Sequence, residues 1–473
     1  MGAGRMADVQ LDDGGEHAPP DTAAPERERA RRAGALLRRW WPLPVAAVLA
    51  VVAWQVVGDS RTEVAADRLR ATPGVIATTV TPPLDVTTMA TPELSSALLG
   101  GVHTRSGFVA APVDGGLSDP LRVVGIDLAG SEQVWSVDVA DPPQPGLSSR
   151  DVACDAGTDG PARSLWCVVT DYRDASGAPG ATRLVEVHLG DHAVRTDRDL
   201  DPGASATVVG GTLVVGTPGA VAVRLVATDV RTGEQVWAAD VPAPLGPWVG
   251  GRWLSRAGGH VVVVTAGATW ALDAGTGSVL AGGAGVAVVR GDRVVDLQGS
   301  SRTLLLGTDG SGTGAADGQV QVLAPDDGSA PDVLLVEVAD GTLQRLLRGV
   351  DARSGAVLWE RPSDGMAPTN RLLLDGVVYG SGGSTLWAVD AVTGEERWTA
   401  EGGLLDDYRL LTDGVHLLRA ERDPDSGDPV LAAYALGSGR RAWSTPLPPG
   451  VDTVWTQGGI LYGRDEDGAV VLG

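Results

Sequence analysis

The chain has 473 residues, 66 of them glycine, and a formal net charge of −23 at neutral pH. A negative surplus of that size repels phosphates and argues against nucleic acid or anionic lipid headgroups as partners. The length is too great for an ordinary single domain, and there is a single phenylalanine, Phe108, with no lysine at all.

Residues 1–39 are polar, carry Pro and Glu, and show no apolar periodicity, so they are expected to be a disordered cytoplasmic tail. Met1–Trp41 holds seven arginines and seven acidic residues, which leaves essentially the whole surplus further along. Trp40–Val57 has no charge, and about 18 residues rising 1.5 Å each just span a hydrocarbon core. Arg31, Arg32, Arg38 and Arg39 precede it and Asp59 follows, with Trp40, Trp41 and Trp54 suited to the interfaces. The pattern predicts one transmembrane helix at 40–58, a single-pass cell-membrane protein, a cytoplasmic N-terminus and an extracytoplasmic remainder. A cleaved signal peptide is the rival reading; no small-x-small site directly follows Val57 and the leading segment is long.

Residues 59–99 read as a linker, with a short helix at Val64–Arg70 and an extended Thr- and Pro-rich run from Thr72 to Pro92. Val75–Val80 is apolar and β-branched. It is expected to be a strand that completes a sheet begun by Gly459–Tyr462 and Ala469–Leu472, removing an exposed edge.

From about residue 100 the chain repeats. The clearest unit is Arg371–Thr399: four short apolar runs separated by Asp375-Gly376, a glycine-rich turn at Gly380–Ser384, and a polar turn at Asp390–Gly394. Its core is Ala388-x-Asp390-x-x-Thr393-Gly394-x-x-x-Trp398. The same frame recurs at Ala227, Asp229, Thr232, Gly233 and Trp237, and with Ser354 for Thr at Asp351, Gly355 and Trp359. Asp127 and Trp135 keep its ends. Asp273, Thr276 and Gly277 keep its start, with Ala281 in the Trp position, and Gly439 and Trp443 keep its close, with Ala435 replacing the Asp. A four-stranded sheet cannot bury both faces alone, and recurrence at roughly 40 residues predicts propeller blades. The Asp carboxylate suits the turn N–H groups, the Gly a positive φ, and the Trp a flat contact with the neighbouring sheet.

The motif resembles the tryptophan-docking repeat of the pyrroloquinoline-quinone (PQQ)-like β-propellers, which include quinoprotein alcohol dehydrogenases and BamB-type outer-membrane assembly lipoproteins. The likeness covers about Phe108 to the C-terminus and bears on fold, not activity. It implies an all-β propeller of four-stranded antiparallel blades over 100–473. Blades at Gly107–Val139, Asp151–Asp197 and around Asp229, Asp273, Asp351, Asp390 and Ala435, a worn one in Val286–Leu323 and the closing strands give eight or nine. Eight, the commonest count in the family, is the expectation, with seven as the alternative.

Cys154 and Cys167 are the only cysteines, and outside the cytoplasm they are expected to form a disulfide. Quinoprotein dehydrogenases carry a disulfide between adjacent cysteines; these two are separated, and the family's Asp base and calcium ligands match no position here. His188, Asp191 and His192 lack a third or fourth zinc ligand and read as turn residues. Asp423, Asp425 and Asp428 have a spacing calcium accepts, yet suit an acidic hairpin as well. No catalytic, cofactor-binding or metal-binding residue and no cofactor is therefore assigned. The expected function is a membrane-tethered, non-catalytic scaffold binding a protein or peptide partner, or a ligand, in the cell envelope; the alternative is a PQQ-dependent quinoprotein dehydrogenase.

Overall fold

Short apolar runs of two to ten residues punctuated by glycine turns fold, in the computed structural model, into nine sheets among the described residues, antiparallel throughout except where Leu323–Asp326 pairs parallel with Arg371–Leu374. The structure describes residues 63–473 except 89–93, 95–96, 99–100, 104–107, 115–118, 128–131, 143–148, 157–162, 173–178, 243–252, 266–267, 284, 290–292, 298–301, 308–309, 340–344, 364–369, 404–408 and 467. Two compact units divide at Ala65/Ala66, and the sheets lie wholly in the second.

In chain order, blade 1 spans 102–140, blade 2 149–200, blade 3 205–241, blade 4 254–283 and blade 5 286–317. Blade 6 is built from 319–320 and 333–363, and blade 7 from 371–401 with 323–326 as a fifth strand. Blade 8 spans 411–446, and blade 9 joins 453–472 to Val86–Thr88. Strands a to d run outward from the ring axis. In blade 3 strand a is buried throughout, whereas strand d alternates exposed and partly buried residues with buried Trp237 and Val241.

Ring closure is visible in the core. Each of nine apolar clusters is shared by two successive blades. One of them packs Tyr462 and Ala469 of blade 9 against Ala111, Val124 and Ile126 of blade 1. Every sheet thus has a neighbour on both faces, which a lone four-stranded sheet lacks.

The expected count of eight is corrected to nine. The worn interval after Asp273 folds a complete sheet, Val286–Val289 to Gly312–Asp317, without a motif Asp or Trp. Its apolar strands still bury Val295 and Leu305 against blade 6, so inter-blade burial suffices where the signature is lost. The single-pass anchor is also corrected: among the described residues no helix is long and apolar enough to cross a membrane. The helix at 63–70 is short, and the 40–58 span and the tail before it lie outside the described residues.

Ring closure uses a different segment from the one the sequence suggested. Val86–Thr88 pairs antiparallel with Val470–Leu472 as strand d of blade 9. Residues 75–80 form no strand but bury Val75, Ile76 and Val80 as a strap over blades 7 to 9. The backbone N–H groups of Ile76 and Ala77 donate to Thr412 (2.8 Å) and Gly459 (2.7 Å). The N–H of Val80 donates to Asp413, 3.0 Å away. Burial alone would raise the carboxyl of Asp413, but hydrogen bonds from His416 and Val415 hold it below the usual range.

Candidate functional site

The repeated residues make one joint between successive blades, complete at Trp237, Trp359 and Trp398. At the c–d turn the Asp390 carboxylate accepts the N–H groups of Val392 (3.1 Å) and Thr393 (3.0 Å). Its carbonyl takes the N–H of Gly394 at 2.9 Å. Asp229, Asp273 and Asp351 cap their turns likewise. Backbone donors, foremost that of Thr393, lower the Asp390 carboxyl to about 2.

In blades 3, 6 and 7 the tryptophan then lies on the next turn. The indole N–H of Trp237 donates to Ala274 (2.8 Å), that of Trp359 to Ala391 (2.9 Å), and that of Trp398 to Leu436 (2.7 Å). Glycine is obligatory beneath the rings: φ is +69° at Gly277, +71° at Gly394 and +65° at Gly439. A Cβ there would come within 2.4–2.5 Å of the indoles. Gly233 and Gly355 share the positive φ. Blade 1 varies the joint, with Trp135 stacked 4.6 Å over His192, itself at φ 55°. Trp443 packs on the cluster between blades 8 and 9, and Asp127 ends strand c of blade 1.

Other polar candidates are absorbed by turns. His188 Nδ1 sits 2.7 Å from Asp191, which also pairs with Arg195. Asp423 accepts the N–H groups of Asp425 and Ser426 at 3.0 Å, the same local cap in a b–c hairpin. Cys154 and Cys167 face each other across strands a and b of blade 2 and form the disulfide, 13 residues apart. In the ring's interior, Asp155 accepts from Thr207 Oγ1 (2.7 Å) and lies 3.4 Å from Arg256, tying blades 2, 3 and 4 together.

One site owes nothing to the motif and was missed from sequence. Where blades 4 and 5 should carry Trp, the register places Ala281 and Gly314. Without an indole between them the backbones close in: a Cβ on Gly314 would meet the Ser354 carbonyl carbon at 2.6 Å. Beside this contact opens a cavity of about 810 Å³. Leu280, Val294, Leu306 and Leu323 supply apolar wall, with His260, Arg293, Asp326 and Arg353 as polar lining. Arg293 is oriented by donating to the Ala352 carbonyl at 2.8 Å. The volume lies in the range of small-ligand and peptide side-chain pockets. Ala281 in the Trp position was the one sequence signal available.

The fold defines a nine-bladed β-propeller of four-stranded blades, whose repeats resemble the PQQ-like repeat. Residues 328–434 match the profile of a family described as outer membrane protein assembly factor BamB. The match covers blades 6 to 8 in the main, and there the resemblance read from the motif holds. Among solved structures, BamB from Moraxella catarrhalis is similar at 18% identity, covering 69% of this chain and 98% of that one, TM-score 0.34. A quinohemoprotein alcohol dehydrogenase from Comamonas testosteroni is similar at 13% identity, covering 82% and 76%, TM-score 0.38. The computationally designed Ika8 protein gives 14%, 79% and 94%, TM-score 0.37. No curated protein matches the sequence.

Among the described residues no group of three His, Cys, Asp or Glu converges to hold a metal ion. The disulfide is packed within the blade 1–2 cluster, with Cys167 fully buried.

Proposed function

We propose that this chain is a non-catalytic binding scaffold, a rigid ring that holds a protein or peptide partner or a ligand at the cavity beside blade 5. The observation that carries the reading is that cavity, placed where two blades have given up the docking tryptophan. The motif carboxylates and indoles are spent on turns and joints, which leaves the departures from the repeat to provide function. Its apolar walls and its rim of Arg353, Asp326 and Asp327 suit a peptide that inserts an apolar side chain between flanking charges. The matching family's description as an assembly factor supports a protein partner. The dehydrogenase alternative would need a metal-ligand group, and none of three or more His, Cys, Asp or Glu occurs among the described residues.

Two measurements decide. PQQ with calcium, titrated into the full chain and followed by absorbance, is expected to give no saturable change; tight binding overturns the scaffold in favour of a quinoprotein. A partner captured by the wild type is expected to be lost by Leu306→Trp, which fills the cavity. Equal capture by a folded variant removes the cavity from the reading.

A further inference from the structure

The first half of the strap, from Ala66 to Val75, is seated directly behind a wall of the cavity. Leu69 and Val75 are buried in the apolar cluster between blades 7 and 8, where they join Leu372, Leu374 and Leu410. Leu372 and Leu374 lie on strand a of blade 7, Arg371–Leu374. Side chains alternate along a strand, so Leu373 points the other way, into the cluster it shares with Leu323. Leu323 opens the fifth strand, Leu323–Asp326, which pairs parallel with strand a. Leu323, Asp326 and the following Asp327 line the cavity. Strand a of blade 7 is thus pressed by the strap on one face and bonded along its edge to the segment that walls the cavity.

That segment is lightly held. Among the described residues blade 7 alone has a fifth strand, and its pairing shifts register between Leu323 and Asp326. A short, irregular pairing of this kind opens locally more easily than a full ladder. Further ties run from it towards the strap. Gly74, at φ +91°, lies against Pro325, and a Cβ there would stand 3.5 Å from the proline Cβ. Asn370 donates to the carbonyls of both Ala324 (3.2 Å) and Leu410 (2.9 Å). The N–H of Asp375 donates to Asp327 at 2.7 Å, while its carboxylate accepts from Arg68 at 2.6 Å. The Arg68–Asp375 pair is exposed and contributes little, so the apolar seat carries the coupling.

We infer that the strap regulates the cavity. Seated, it fixes strand a of blade 7 and, through it, the wall at 323–327; unseated, it frees that wall and widens access. The inference rests on the reading of the cavity as the binding site and adds what controls it.

Hydrogen exchange of the full chain, read by mass spectrometry, tests the coupling without any ligand. Val75→Ala trims the strap's seat and is expected to speed exchange at the amides of Leu323, Ala324, Asp326 and Asp327 about tenfold, with Ser205–Val209 of blade 3 unchanged. Gly74→Ala, an exposed change strained by its positive φ, is the second variant if Val75→Ala does not fold. Access is read with Leu306→Cys: both native cysteines are held in the disulfide, so N-ethylmaleimide reports this thiol alone. Its alkylation is expected to quicken on the order of threefold when Val75→Ala or Gly74→Ala is added. Unchanged exchange at 323–327 in a folded variant, an equal rise in blade 3, or an unchanged alkylation rate overturns the coupling. Such a failure leaves the binding reading standing, whereas equal partner capture by Leu306→Trp removes that reading and leaves the exchange result as it is.

Discussion

Gly394→Ala and Gly376→Ala separate backbone strain from blade docking. Both glycines hold nearly the same positive φ, +71° and +74°. At Gly376 a Cβ meets nothing within 4 Å, whereas at Gly394 it meets Trp359 Cγ at 2.4 Å. A left-handed φ costs a non-glycine residue about 1–2 kcal/mol, partly offset by the stiffer unfolded chain. Gly376→Ala is therefore expected to lose about 1 kcal/mol. Gly394→Ala carries that loss and an overpacking penalty of about 1–3 kcal/mol, because the indole is held by its bond to Ala391 and cannot shift freely. The measure is urea denaturation followed by far-UV circular dichroism. A double variant with Trp359→Ala supplies the cycle: removing the ring should erase most of the excess, so the two changes together cost less than their sum. Equal losses at the two glycines, or strict additivity with Trp359→Ala, would refute the docking account.

Acid should weaken the joints in a defined window. The folded carboxyl of Asp390 lies at about 2, below the ordinary unfolded value near 3.9. Its stabilisation is thus complete above about pH 4 and lost as pH falls towards 2. With side-chain exposure and solvent screening the loss is about 1 kcal/mol. Asp229 and Asp351 are lowered too, chiefly by bonds from Thr232 and Ser354, and act in the same direction. Asp390→Asn should flatten the decline of stability between pH 4 and 2, and a curve parallel to wild type would count against the cap. Reduction of Cys154–Cys167 should lower stability by about 3 kcal/mol through the freed loop between strands a and b. Denaturation midpoints in oxidising and reducing buffer, with a thiol count, check this; coincident midpoints with two free thiols would contradict it.

Much of the propeller is legible because its turns are local. Asp229, Asp273, Asp351 and Asp390 bond to N–H groups two or three residues on, and the glycine at the fourth position after each takes a positive φ. Such geometry needs no distant partner, so the letters announce it. Blade 5 lacks the motif Asp and Trp and shows only a worn glycine turn, and its strands are held by burial against blades 4 and 6. The strap at 75–80 reads as a strand by composition; Thr412, Asp413 and Gly459, more than 300 residues away, draw its N–H groups elsewhere.

The amino-acid order alone determined the repeated turn, the docking indole and the all-β ring, since each rests on spacing within one unit. Blade number, the strand that closes the circle, and the cavity beside Ala281 and Gly314 were decided only in three dimensions. Those features arise from how one sheet meets the next, and contact across an interface depends on residues that no short stretch of chain contains.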